Sequence, residues 1–111
     1  MHIPKNDKYY IEKIINDLQF IIRQMDNISY SDFHNNELLL DSMMFRLIQI
    51  SESTQKLTNG YKTTHNNIPW HLLYALRNRI VHDYGNVDLN IIYSTLTNDI
   101  PELLVLINPK A

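Results

Sequence analysis

Ile11, Ile14, Ile15, Leu18, Ile21, Ile22 and Met25 recur at spacings of three and four residues. That interval follows the turn of an α-helix and draws one apolar stripe along a helix from about Asp7 to Asp26. The chain holds only 2 Gly and 4 Pro in 111 residues. So few turn-formers favour long helices over short strands. The expected fold class is therefore all-α: a compact antiparallel bundle of four to five helices with short connections. The length suits one domain, residues 1–111, and not two.

Asn27 to Phe33 reads as a connection with capping residues. A second helix is expected from about Asn36 to Leu57, with Leu39, Leu40, Met43, Met44, Leu47, Ile48, Ile50 and Leu57 as its apolar set. These cover about half of the helical circumference, wider than a one-sided surface helix needs. Either that helix sits centrally in the bundle or one side of it faces a second protomer. Asn59-Gly60 reads as a helix stop, and Tyr61 to Asn67 as a polar loop. Ile68-Pro69-Trp70 opens a third helix, with Pro near its first turn; it should end near Tyr84, before Gly85-Asn86. A fourth helix starts at Val87-Asp88 and carries Leu89, Ile91, Ile92, Tyr93 and Leu96. Pro101 breaks or restarts it, and Leu103 to Ile107 form a last short helix.

Composition narrows the function. The net charge is −2, from 10 Lys+Arg against 12 Asp+Glu. That balance argues against strong sequence-independent nucleic-acid binding, which depends on neutralising phosphates. Any RNA contact must come from a local basic site. Residues 62–82 supply one: Lys62, His65, His71, Arg77, Arg79 and His82, with no acid until Asp83. With 0 Cys there is no disulfide framework and no thiolate chemistry. His2, His34, His65 and His71 show no metal-ligand spacing, so neither a metal site nor a cofactor is expected. Met1 to Asp7 does not read as a signal peptide, and no stretch approaches the roughly 20 apolar residues of a membrane span. A cytoplasmic location is the expectation.

Arg77-Asn78-Arg79-Ile80-Val81-His82-Asp83-Tyr84 closes the third helix. Arginine holds phosphate as a planar fork of donors, and histidine exchanges protons near neutral pH. With Trp70 at zero and about 100° per residue, Leu73, Tyr74, Ile80, Val81 and Tyr84 cluster around Trp70. Arg77 falls inside that stripe. A charge among apolar side chains needs a paired acid or a bound ligand; Glu52 or Asp41 on the second helix could be the partner. Arg77 is then either a semi-buried tie between helices or a phosphate ligand. Arg79 lies on the opposite side, where plain solvation is sufficient. His82 is either a helix-end histidine facing the last carbonyls or a proton carrier. Tyr84 reads as a core aromatic whose hydroxyl reaches solvent. Arg77 and His82 are about 140° apart on an ideal helix. One phosphate could touch both only if the helix unwinds at His82 or if two copies face each other across a dimer.

The spacing Arg, four residues, His, one residue, Tyr resembles the signature of the HEPN superfamily. It looks most like the HepT-type toxins encoded beside small nucleotidyltransferases, the MntA–HepT (type VII-like) toxin–antitoxin arrangement. The likeness extends over nearly the whole chain. It includes Asp32-Phe33, Asn36-Glu37, Arg46-Leu47-Ile48-Gln49-Ile50-Ser51-Glu52, Ile68-Pro69-Trp70, Val87-Asp88-Leu89 and Ile100-Pro101-Glu102-Leu103. Where the family usually carries Gly-Glu-Ala, this chain has Ser51-Glu52-Ser53, a departure that touches local helix packing only. The resemblance implies a homodimeric, metal-independent endoribonuclease toxin with its site in the cleft between protomers. It implies Arg77 and His82 as the catalytic pair, with Asn78, Arg79 and Glu52 in supporting or positioning roles. Tyr84 is implied as the residue that a cognate nucleotidyltransferase antitoxin modifies with AMP. Two other readings compete with the toxin: a non-catalytic binding subunit of a minimal nucleotidyltransferase, and a plain dimeric scaffold.

Overall fold

The computed structural model describes residues 5–108. His2 and most of the Met1–Asp7 stretch lie outside them. The described residues form helices joined by short connections, with no strand among them: α1 (Lys5–Met25), α2 (Tyr30–His34), α3 (Glu37–Lys56), α4 (Asn59–Thr64), α5 (Trp70–His82), α6 (Leu89–Ser94) and α7 (Ile100–Ile107). The all-α bundle expected from the periodicity is the observed architecture.

The α1 stripe is core. Ile14, Leu18 and Ile21 are fully buried, and the helix packs on α3 and on the C-terminal segment. It stops where Asn27 takes φ 59°, the left-handed conformation that commonly ends helices. Asp7, fully buried in the first turn of α1, is not left unpaired. Thr58 donates to it from its backbone N–H at 2.8 Å and from its hydroxyl at 2.6 Å. Arg46 of α3 reaches Asp17 of α1 at 2.8 Å and stacks on Phe20, 3.7 Å from the ring centroid.

Three connections differ from expectation. Asn27–Phe33 contains the short α2, capped by the Ser29 hydroxyl, which accepts from the Asp32 N–H. Asn59-Gly60 does not stop a helix. It opens α4, because Thr58 caps that helix through the Tyr61 N–H, while α3 has already ended at Leu57. The Tyr61–Asn67 segment is thus half helical. Finally, Pro101 restarts a helix rather than breaking it: it stands in the first turn of the short last helix α7, and the chain does not leave a helical path before it. Thr95–Asp99 widens into a π-helical turn in which the Ile100 N–H bonds the Thr95 carbonyl, five residues back. A proline lacks the N–H that a regular turn would use, and its ring collides with the carbonyl four residues earlier. The wide turn relieves both, so the chain runs helically from Leu89 to Ile107.

The wide apolar face of α3 has its explanation inside the bundle. This helix packs on α1, α2 and α5, with Met43, Met44, Leu47 and Ile50 buried. The apolar surface left over is a different one. Leu38 and Phe45 of α3 are 85% and 57% exposed.

Candidate active site

The site is built where α5 crosses α3 in antiparallel register. Two polar contacts fix that register. Near the start of α3, the Tyr84 hydroxyl donates to Asp41. Three turns further along α3, Arg77 donates to one oxygen of Glu52, through Nη2 at 3.3 Å and Nε at 3.4 Å. Between these contacts the register leaves Phe45 and Val81 at the surface, with Leu38 and Tyr74 beyond them; all four are exposed. One face of the α3–α5 pair therefore alternates polar ties with apolar side chains.

Arg77 is half-buried, its side chain 29% exposed. It lies in the apolar stripe as expected, and of the two acids weighed for it, Glu52 is the partner. Its Nη1 donates to Asn78 Oδ1 at 3.1 Å, so Glu52 and Asn78 together restrain the guanidinium. Asp41, the other acid considered, pairs with Tyr84 instead. Tyr84 is not a core aromatic: it is 46% exposed, in the 3₁₀ turn Tyr84–Asn86 that follows α5. The hydrogen bond to Asp41, then burial, then the charges of Asp41 and Glu37 push the Tyr84 phenol up to about 12. The apolar stripe of α5 is also split. Ile80 is fully buried, whereas Tyr74 and Val81 are exposed at 46% and 44%.

His82 is the last residue of α5 and is exposed. The helix keeps its geometry through His82 and departs from it only at Asp83, at φ −143°. Unwinding at His82 therefore does not bring it round to Arg77, and within one chain the two side chains leave the helix on different sides. Arg79 is exposed and is not drawn to the Arg77 side. It lines a groove of about 440 Å³ between α5 and the α6–α7 segment, with Leu72, Leu76, Ile91, Glu102 and Leu106.

His65 of the basic segment is structural. The His65 Nδ1 lies 2.9 Å from the Tyr61 carbonyl, and its ring stacks on Tyr61 at 4.0 Å. The Trp70 indole N–H donates to the carbonyls of His65 and Lys62 at 3.2 and 3.3 Å. These bonds seat the start of α5. No cluster of three or more His, Cys, Asp or Glu residues is placed to hold a metal ion among the described residues, and none of their helices is long and apolar enough to cross a membrane.

Sequence reasoning did not see that Asp41 holds the Tyr84 hydroxyl. The signal was available only as a register: two contacts 43 and 25 residues apart in sequence need the antiparallel pairing to be known first.

A family profile described as "Ribonuclease HepT-like" matches residues 11–109. The chain is similar to a protein of Caldanaerobacter subterraneus subsp. tengcongensis provisionally named an RNase, 29% identical over 89% of this chain and 88% of that one. It is also similar to a Thermococcus cleftensis protein provisionally named ribonuclease HepT, 27% identical over 91% of this chain and 92% of that one. A third relative, from Methanocaldococcus jannaschii and provisionally named an RNase, is 24% identical over 86% and 88%. No solved structure matches.

Proposed function

The chain belongs to the HepT-like ribonuclease family of the HEPN superfamily, and from that premise we propose that it is a metal-independent endoribonuclease toxin. It acts in the cytoplasm as a homodimer, and a cognate minimal nucleotidyltransferase silences it by AMP transfer to Tyr84. The observation that carries the reading is the state of Arg77. Its guanidinium is held by Glu52 and Asn78 yet remains partly open to solvent, on the helix that ends at an exposed His82.

RNA carries its own nucleophile, the ribose 2′-hydroxyl. His82 removes its proton, the 2′-oxygen attacks the adjacent phosphorus, and the 5′-oxygen leaves with a proton from a histidine of the cleft. The product ends are a cyclic phosphate and a 5′-hydroxyl. Arg77 stabilises the charge that grows on the phosphoryl oxygens. Because Arg77 and His82 diverge on one helix, the arginine of one protomer works with the histidine of its partner. Exposed Phe45, Val81, Tyr74 and Leu38 support an interface on this face. AMP on Tyr84, two residues from His82, adds a phosphate charge and bulk where the RNA phosphate must sit.

One observation favours a second reading, the binding subunit. The Arg77–Glu52 pair is what a purely structural arginine would make. Cleavage by purified chain decides between them. His82→Ala should lose about 10²–10⁴ in rate with an unchanged melting curve, since the residue is exposed. Activity of the wild type that appears only with added magnesium or manganese would refute the metal-free mechanism. Wild type with no cleavage under any condition would leave the binding subunit as the better reading.

A further inference from the structure

The contact between Tyr84 and Asp41 has a chemical use beyond tying α5 to α3. We propose that Asp41 is the proton acceptor for AMP transfer to Tyr84, a role that rests on Tyr84 being the modified residue. A phenol attacks phosphorus well only as its proton leaves, so an acceptor must already lie at the oxygen. Asp41 lies there: its Oδ1 accepts the Tyr84 hydroxyl hydrogen. With that proton directed at α3, the oxygen lone pairs remain for an incoming group, and the side chain is 46% exposed. Nucleophile and base are thus assembled on the acceptor protein before the partner enzyme arrives.

The transfer balances as follows. The Tyr84 O–H bond breaks, and its proton passes to the Asp41 carboxylate. The phenol oxygen forms a bond to the α-phosphorus of a nucleoside triphosphate held by the nucleotidyltransferase. The bond from that phosphorus to the bridging oxygen breaks, and its electron pair leaves with pyrophosphate. No oxidant or reductant is needed. The other side chain of α3 whose charge acts on Tyr84 is Glu37; along the chain the neighbouring ionisable groups are His82 and Asp83. Both α3 carboxylates disfavour a standing phenolate, so ionisation must accompany attack, with Asp41 taking the proton as the new bond forms. Once AMP is attached, the hydroxyl hydrogen is gone and the Asp41 carboxylate faces a phosphodiester. The modified side chain should then turn away from α3.

The test incubates purified full-length chain with the cognate nucleotidyltransferase, ATP and magnesium, and follows AMP addition by intact and peptide mass across pH. Wild type should gain one AMP on Tyr84. Asp41→Asn should retain the circular dichroism spectrum and bind the enzyme, but accept AMP about 10²–10⁴ more slowly. Its rate should climb with the phenolate fraction, about tenfold per pH unit. Asp41→Glu, which restores a carboxylate, should recover much of the rate, and it serves as the second variant should Asp41→Asn prove unstable. If Asp41→Asn is modified at the wild-type rate with the wild-type pH profile, the proton acceptor belongs to the partner enzyme and the inference is overturned. Wild type that acquires no AMP on Tyr84 would instead remove the reading on which it rests.

Discussion

Arg77 donates to a single oxygen of Glu52 with two of its nitrogens, at 3.3 and 3.4 Å. The motif arginine therefore arrives at the surface already oriented, and the acid that orients it is itself 48% exposed. Partly exposed ion pairs of this kind contribute at most about 1 kcal/mol to stability. Arg77→Ala should accordingly fold, with a small drop in melting temperature, and lose cleavage. Glu52→Ala should also fold and lose about tenfold, because it releases the guanidinium without removing it. Arg79→Ala, on the opposite side of α5, should be milder than either. Parallel thermal unfolding and cleavage rates check this series. Normal cleavage by Arg77→Ala would make the arginine structural.

Ser51 is buried in α3 at 1% exposure. Its hydroxyl has no hydrogen-bond partner among the described residues. A buried polar group left unpaired destabilises by about 1–3 kcal/mol, and alanine is the better helix former. Ser51→Ala should raise stability by about 1 kcal/mol, or roughly 4 °C in melting temperature. Scanning calorimetry of the two proteins measures it, and a lowered midpoint would mean that Oγ has a partner in solution.

Phe45 is 57% exposed, in the register between the Tyr84–Asp41 and Arg77–Glu52 contacts. An apolar ring left there by the bundle fits an interface core. Phe45→Glu should shift the chain from dimer to monomer at micromolar concentration and reduce cleavage with it, while leaving helicity intact. Light scattering that returns a monomer for the wild type would count against both the dimer and a cleft shared between protomers.

Tyr84 should titrate late. Its folded pKa of about 12 lies above the ordinary tyrosine value of about 10. A group raised on folding contributes stability that is fully present below the unfolded value and is lost as pH rises through the folded one. The window is therefore about pH 10 to 12, and the sign is destabilisation with rising pH. A difference titration of phenolate absorbance between wild type and Tyr84→Phe isolates this group. A midpoint near 10 would mean that the Asp41 contact is absent in solution.

Much of this protein could be read in one dimension. The α1 stripe from Ile11 to Met25, the opening of α5 at Trp70 and the capping start of α6 at Asp88 are local patterns. Each depends on residues within a turn or two of one another, so periodicity and capping chemistry determine them. The Arg77-to-Tyr84 motif is local in the same sense, and it placed a half-buried arginine in an apolar stripe before any partner was known. Other features needed the tertiary structure. Whether Pro101 would end a helix depended on whether the preceding turn could widen while Leu96 and Ile100 stayed packed in the core. Whether Arg77 chose Glu52 or Asp41, and whether Tyr84 lay inside or at the surface, depended on the register of α5 against α3. That register is set by burial of Ile80, Met43, Met44, Leu47 and Ile50, residues up to 37 positions apart in sequence. Local sequence fixes which face a helix must bury; only the packed core decides how far one helix slides along another, and with it which side chains meet.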